Sequence, residues 1–339
     1  MKRNFVFLIA LVVFAVSGNG SVNDLSVLAK QVDSIYVGGY QNNGKSDVAC
    51  YWKNGIKTDL GDGKHYSHIN ALFISGEAFY AGGYQNNGKS DVACYWKNGT
   101  RTNMSEARSD IYAVYVTDRD IYAGGTYHNG QYYVACYWKN GSRVELDARY
   151  STVYTLIVSG KDVYAGGFYS NGKCLVACYW KNGVRTDLGD GKHDSTVTSL
   201  LFSNTDIYAG GMQGNGHNFI ACYWKNGVRT EIGGEKHRSY ILTIAFSGAD
   251  VFAGGYQNNG TVDVACYWKN GVRIDLGNGK HKSRIQTLAL SGTDVIAGGY
   301  QNNGTVDVAC YWKNGVRIDL GDGIHESCIK SITYETYET

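Results

Sequence analysis

The strongest constraint on the fold is a seven-residue string, ACYWKNG, that occurs seven times in the chain. Its tryptophans are the only ones in the sequence, and they follow one another at intervals of 44, 42, 42, 44, 44 and 44 residues. They are Trp52, Trp96, Trp138, Trp180, Trp224, Trp268 and Trp312. A repeat of about 40 to 45 residues running nearly end to end predicts one repeat architecture instead of two ordinary domains.

Turn signals divide each unit into strands. One Asn-Gly pair lies inside YWKNG and a second precedes it by eleven residues in every unit. Asn-Gly between alternating apolar and polar residues predicts a type I′ hairpin, because both residues adopt positive φ easily. We therefore expect two tight hairpins and a fourth strand per unit. In the first unit three of the predicted strands are 34–42, 45–53 and 56–60. The fourth strand precedes the other three of its unit, and it is first seen at 69–75.

Four antiparallel strands per unit predict an all-β fold, a seven-bladed β-propeller. The composition agrees, since 45 glycines, 28 tyrosines and no proline favour strands joined by tight turns. Residues 327–333 match the innermost strand of other units, such as 283–289. We expect this C-terminal strand to complete the first blade and close the ring, which removes exposed sheet edges.

The N-terminus has the pattern of a secretory signal. Lys2 and Arg3 precede an apolar run over 5–16, and the small residues Ser17 and Gly18 follow. The run is short for a membrane span, so we predict a cleaved signal peptide over 1–18 and a single propeller domain over 19–339. The mature chain would be a monomer without a stable membrane span, in the periplasm, on the cell surface or secreted. The alternative is an uncleaved N-terminal anchor.

Charge and cysteine content restrict the partners. The formal net charge of +2 falls to zero without Lys2 and Arg3, and no basic run is present, so nucleic acid is a poor candidate partner. Seven of the nine cysteines occupy one position per unit, too far apart to pair, and Cys174 and Cys328 fall in different units. We predict buried thiols, no obligatory disulfide and no cofactor.

Two repeated features indicate packing. The second hairpin places Trp52 opposite Lys57, and places each later tryptophan opposite an arginine, which predicts a cation stacked on the indole ring. A Gly-Gly pair ends the apolar part of the second strand, as at 38–39, where missing side chains allow close approach of a neighbouring backbone.

These features resemble a known repeat. Gly-Gly after an apolar run, a tyrosine twelve residues on (Gly39 to Tyr51) and a tryptophan are similar to the kelch propeller repeat. The chain departs from that repeat because Trp52 follows Tyr51 directly and the period is shorter. Over residues 34–333 it more closely resembles exported bacterial proteins built from YWKNG repeats. That resemblance implies a propeller and an export route, and no activity or functional residues.

Histidines recur in the blade-to-blade connections, the one set of connections long enough to vary. They are His65, His193, His237, His281 and His325. A ring of metal sites is one interpretation. Because equivalent positions of different blades lie far apart, we favour polar turns and predict no metal site.

The repetition breaks in units three to five. The connections before and after unit three are two residues shorter than the others, which accounts for the two 42-residue intervals. Arginine and tyrosine often dominate binding energy at interfaces, and this arc carries several of them. The candidate ligand-binding residues are Arg108, Arg149, Tyr127, His128 and Tyr150. The alternative is neutral drift of one arc after tandem duplication.

Three classes of function remain open. A non-catalytic module that binds a protein or a glycan comes first, because near-identical blades offer repeated weak sites. A polysaccharide-acting enzyme comes second; it would need paired acids at one place, and the sequence offers acids only as repeated turn and outer-strand residues. A structural surface protein comes third. We predict no catalytic residues.

Overall fold

The computed structural model describes residues 32–105, 108–147, 149–203 and 205–337. In these ranges the chain forms 28 β-strands, which pair into seven four-stranded antiparallel sheets. The same ranges contain no helix that is long and apolar enough to cross a membrane. The predicted signal segment, 1–18, lies outside the described residues. The predicted seven-bladed propeller is confirmed.

Each sheet is one blade. In blades 2 to 7 the strands run outwards in chain order, whereas in blade 1 the last strand of the chain is innermost. Blades 1 and 2 comprise β28 (Ser327–Tyr337), β1 (Val32–Asn42), β2 (Asp47–Lys53) and β3 (Ile56–Asp59), then β4 (Ser67–Ser75), β5 (Ala78–Asn86), β6 (Asp91–Lys97) and β7 (Thr100–Asn103). Blades 3 and 4 comprise β8 (Ser109–Val116), β9 (Ile121–His128), β10 (Tyr133–Lys139) and β11 (Ser142–Glu145), then β12 (Ser151–Ser159), β13 (Asp162–Ser170), β14 (Leu175–Lys181) and β15 (Val184–Asp187).

The remaining blades repeat this order. Blade 5 comprises β16 (Ser195–Ser203), β17 (Asp206–Gly214), β18 (Phe219–Lys225) and β19 (Val228–Glu231). Blade 6 comprises β20 (Ser239–Ser247), β21 (Asp250–Asn258), β22 (Asp263–Lys269) and β23 (Val272–Asp275). Blade 7 comprises β24 (Ser283–Ser291), β25 (Asp294–Asn302), β26 (Asp307–Lys313) and β27 (Val316–Asp319). The inner strands contact one another around the ring.

The C-terminal strand closes the ring as predicted. β28 pairs antiparallel with β1, with Ile332 opposite Val37 and Ser327 opposite Gln41. It supplies the inner strand of blade 1, so the first and last strands of the described structure share one sheet. Ile329 and Ile332 of this strand are buried in a cluster with Trp52. Ring closure is therefore held by backbone pairing and apolar packing.

The two Asn-Gly signals form different turns. Asn54 and Gly55 have φ of 51° and 85°, so the hairpin inside YWKNG is the predicted type I′ turn. At the first signal only Gly44 has positive φ, and the strands stop at Asn42 and resume at Asp47. The prediction of a second type I′ turn was wrong. Asn43 Oδ1 accepts hydrogen bonds from the backbone amides of residues 45 and 46, which stabilises a wider loop.

The repeated tryptophans pack between blades. Each is at most 1% exposed, and Trp180 of blade 4 contacts Ala135 of blade 3 in one cluster. The register places Trp180 opposite Arg185, as predicted, but the arginine does not stack on the indole ring. Its guanidinium carbon lies 3.4 Å above the Tyr169 ring centroid instead, because the indole is already covered by the neighbouring blade. The nine cysteines are buried and free. Burial raises the pKa of the Cys94 thiol to about 12.

A repeated serine at the start of each inner strand joins neighbouring blades. In all seven blades this serine is at most 2% exposed, and its hydroxyl accepts a hydrogen bond of 2.8 to 3.0 Å from the backbone amide of the alanine in ACYWKNG of the preceding blade. The serines are Ser67, Ser109, Ser151, Ser195, Ser239, Ser283 and Ser327. The ACYWKNG string therefore serves the scaffold at every interface.

Replacing one of these serines should destabilise the fold measurably. Ser239→Ala leaves the buried amide of Ala221 without an acceptor, so we expect the free energy of unfolding to fall by about 1 to 3 kcal/mol. Ser247→Ala, at the partly exposed end of the same strand, is the matched control and should change it by less than about 0.5 kcal/mol. Urea denaturation of both variants measures the difference. Equal midpoints would contradict the proposed role of the serine.

Candidate site between blades 2, 3 and 4

The residue next to the repeated serine differs strongly between blades. The residue after the repeated serine is of six different types in seven blades, although the serine itself never changes. These residues are His68, Asp110, Thr152, Thr196, Tyr240, Arg284 and Cys328. They lie at the start of the inner strands, beside the blade-to-blade connections. This position therefore gives most interfaces between blades a different side chain at the start of the inner strand.

A cavity of about 260 Å³ opens at this level, where blades 2, 3 and 4 meet. Its walls combine aromatic rings with two carboxylates, one guanidinium and several hydroxyls. The lining residues are Asp91, Arg108, Ser109, Asp110, Tyr112, Thr126, Tyr133, Tyr150, Ser151, Thr152, Tyr154 and Phe168. The volume is just below the usual range for small-molecule pockets, about 300 to 1,000 Å³, and suits one side chain or one sugar ring.

The two shortened connections each contribute a residue to the cavity. Arg108 and Tyr150 are the last residues before β8 and β12, and both are exposed. Among the described residues, Tyr150 is also the single residue other than glycine and asparagine with positive φ, at 22°. Backbone strain of this kind often occurs at functional sites.

Asp110 is the most unusual group in the wall. Its Oδ1 accepts a hydrogen bond from Asn70 Nδ2 at 3.0 Å, and the Tyr112 hydroxyl donates another. Burial raises the pKa of the Asp110 carboxyl well above its usual value. The nearby charge of Asp91 adds to the rise, against the opposing effect of the hydrogen bonds. Two acidic side chains thus share one cavity, and burial favours the protonated form of Asp110.

The structure brings together two of the five predicted site residues. Arg108 and Tyr150 line the cavity, whereas Tyr127, His128 and Arg149 do not. Tyr127 is buried beneath the Arg143 guanidinium, and its hydroxyl donates to Glu145. The His128 ring lies 5.1 Å from the Tyr133 ring, and Arg149 is exposed beside Tyr150.

The connection histidines form local turns. His193 Nδ1 lies 2.9 Å from Asp190 Oδ2, and two backbone amides donate to the other oxygen of that carboxylate. Burial acts to raise the pKa of Asp190, but the hydrogen bonds from His193 and the backbone outweigh it and lower the pKa to about 2. In the ranges the structure describes, no three His, Cys, Asp or Glu side chains are grouped as metal ligands.

Sequence reasoning missed Asp91, Asp110, Tyr112 and Tyr154. Asp91 belongs to a repeated DVACYWKNG string, so its position gave no hint of a special environment. The other three could have been found by comparing the seven units position by position, since their columns vary most. Their proximity to Asp91 follows from blade packing, which the sequence does not display.

Comparison with known proteins gives no family for this chain. No protein-family model and no curated protein sequence matches it. Solved structures with a similar fold include TolB from Acinetobacter baumannii, at 7% identity and a TM-score of 0.48, covering 89% of this chain and 66% of that one. Another is the WD40 β-propeller domain of Doa1, at 11% identity and a TM-score of 0.47, covering 81% and 94%. The class of protein, a seven-bladed β-propeller, rests on the strand pairing described above.

Proposed function

We propose that this propeller is a non-catalytic binding module that recognises a protein or a glycan through the face bearing the blade-to-blade connections. The observation that carries the proposal is the cavity between blades 2, 3 and 4, at a level where the blades differ in sequence. Tyrosine, arginine and carboxylate groups on a rigid scaffold suit specific recognition. Export through the N-terminal segment and a monomeric state are parts of the same proposal.

The proposal predicts that filling the cavity weakens binding. Blades 1, 2, 6 and 7 carry a tyrosine where blade 3 has Thr126, so the fold accepts Thr126→Tyr and the ring would occupy the cavity. Wild-type protein and this variant would be applied to a glycan array and a peptide array. We expect any ligand of the wild type to bind the variant at least about tenfold more weakly, because the tyrosine ring would occupy the space that the ligand needs.

Met212→Tyr is the matched control. It makes the same change at the equivalent position of blade 5, outside the cavity, and should bind like the wild type. Loss of binding in both variants would indicate a general structural defect. Unchanged binding by Thr126→Tyr would remove the cavity from the proposal.

One observation favours the polysaccharide-acting enzyme as a second candidate. Asp91 and Asp110 line the same cavity, and the raised pKa of Asp110 is the property expected of a general acid. Paired carboxylates of this kind perform glycoside hydrolysis in many enzymes. Release of reducing sugar from polysaccharides, lost in Asp110→Asn, would support this candidate; saturable binding without product favours the module.

A further inference from the structure

At the interface between blades 1 and 2, an aspartate at this level of the ring is paired with a basic side chain from the next blade. Asp47, the first residue of β2, faces His68, and its Oδ2 lies 3.0 Å from His68 Nε2. The His68 ring stacks on Tyr40 with centroids 4.0 Å apart and planes 6° apart. The His68 imidazole thus binds the Asp47 carboxylate while it stacks on the Tyr40 ring.

The interface between blades 6 and 7 repeats the arrangement with a guanidinium. Arg284 Nη2 donates to Asp263 Oδ2 at 2.6 Å, and its guanidinium carbon lies 4.1 Å from the Tyr256 ring centroid. The Asp263 side chain is 2% exposed. A planar cation with a ring on one side and a carboxylate at its edge is a favourable arrangement for arginine.

The interface between blades 2 and 3 has the same aspartate and tyrosine, but no basic side chain in the third position. Asp91 takes the place of Asp47 and Asp263, and Tyr84 takes the place of Tyr40 and Tyr256. The residue after the serine is Asp110, so a carboxylate stands where the other two interfaces carry His68 or Arg284. Asp91 accepts a hydrogen bond from Asn86 Nδ2 at 2.8 Å. In the part of the chain that the structure describes, no lysine, arginine or histidine forms an ion pair with Asp91 or Asp110.

Arg108 does not supply the missing cation. It is exposed, and its guanidinium carbon lies 5.3 Å from the Tyr133 ring centroid on blade 3. The cavity therefore retains two neighbouring carboxylates and several aromatic rings. A cation from outside would relieve the repulsion between the carboxylates, whereas a neutral sugar would not.

We infer that the cavity binds the guanidinium of an arginine side chain from a protein partner, with Asp91 and Asp110 as its acceptors and the surrounding tyrosine rings as its stacking surface. This inference rests on the proposed function and names its ligand. The chain itself is the template: the partner's arginine takes the place that Arg284 takes between blades 6 and 7.

Binding should strengthen as the pH rises. The ligand requires Asp110 to be ionised, and burial holds the pKa of that carboxyl above its usual value, so binding below this pKa must release a proton. The titratable groups that surround Asp110 in the described structure include Asp91, Arg108, Tyr84, Tyr112, Tyr133, Tyr150 and Tyr154. Burial raises the pKa of Tyr84, Tyr112 and Tyr154 above the usual value for tyrosine, and an arginine side chain stays charged, so these three tyrosines and Arg108 do not change charge between pH 5 and 8.

The test uses the peptides acetyl-Gly-Arg-Gly-amide and acetyl-Gly-citrulline-Gly-amide, which differ in charge and have almost the same shape. Binding to the full chain would be followed by tyrosine NMR shifts and calorimetry. We expect the arginine peptide to bind at least about tenfold more tightly than the citrulline peptide, with proton uptake by the buffer. Asp91→Asn and Asp110→Asn should each weaken it at least about tenfold. Asp110→Arg, which recreates the interface of blades 6 and 7, should block it and raise the melting temperature.

Asp47→Asn is the matched control, since it changes the equivalent carboxylate of an interface that is already filled, and it should leave binding unchanged. Equal affinity for the two peptides, or full binding by Asp110→Asn, would overturn the inference. A third outcome would overturn the inference but leave the proposed function intact. In that outcome the wild type binds a sugar, Thr126→Tyr does not bind it, and the arginine peptide does not bind at all.

Discussion

A chain that ends at Glu326 is expected to lose its cooperative fold. The truncation removes β28, and with it the inner strand of blade 1 and the buried side chains of Cys328, Ile329, Ile332 and Tyr334. Full burial of one such large apolar side chain contributes about 1.5 to 3 kcal/mol, and a folded domain is stable by only about 5 to 15 kcal/mol in total. The loss also exposes the inner edge of β1 to aggregation.

Near-ultraviolet circular dichroism and size-exclusion chromatography would measure this effect. The control is a chain that ends at Tyr337, which keeps all of β28 and should remain folded. The peptide 327–337, added in trans, should restore part of the native signal because closure requires no covalent bond. A chain ending at Glu326 that still melts cooperatively within a few degrees of the full chain would show that the other six blades suffice.

The second large effect is expected for Gly83→Ala. A Cβ at residue 83 would overlap the backbone carbonyl oxygen of His68 on the paired inner strand. A backbone atom cannot move aside as a side chain can, so β4 and β5 would have to separate at the bulge where Ile69 pairs with Gly83. We expect the free energy of unfolding to fall by more than about 3 kcal/mol, the upper end of the usual cost of overpacking.

Gly99→Ala separates this clash from ordinary glycine strain. Nothing lies within 4 Å of a Cβ at residue 99, but its φ is +87°, so alanine there suffers backbone strain alone. We expect a cost of about 1 to 2 kcal/mol. Guanidinium denaturation of both variants gives the comparison. A smaller cost for Gly83→Ala than for Gly99→Ala would show that the inner strand yields easily.

Local signals in the sequence predicted the blade well. The Gly-Gly pair indicated close approach of a neighbouring backbone. Gly83 confirms it, because a Cβ there would overlap the backbone carbonyl oxygen of His68. Where two contacts competed for one side chain, prediction failed: Arg185 faces Trp180 in the hairpin but lies over Tyr169, because the neighbouring blade covers the indole. The first Asn-Gly signal failed in another way. Its asparagine stabilises the loop through Oδ1 and does not adopt positive φ.

The sequence by itself determined the number of blades, their strands and the closure of the ring, because these follow from a period and from hydrogen bonds between residues close in the chain or in matching repeats. It also marked the arc where repetition fails. Only the tertiary structure decided which residues of that arc share a cavity, and that Asp91 of blade 2, outside the arc, lies in the same cavity. Asp91 and Asp110 belong to different blades, and the first sits in a string that looks the same elsewhere. Their opposition is set by blade packing, since a residue's electrostatic environment depends on neighbours that are distant in the chain.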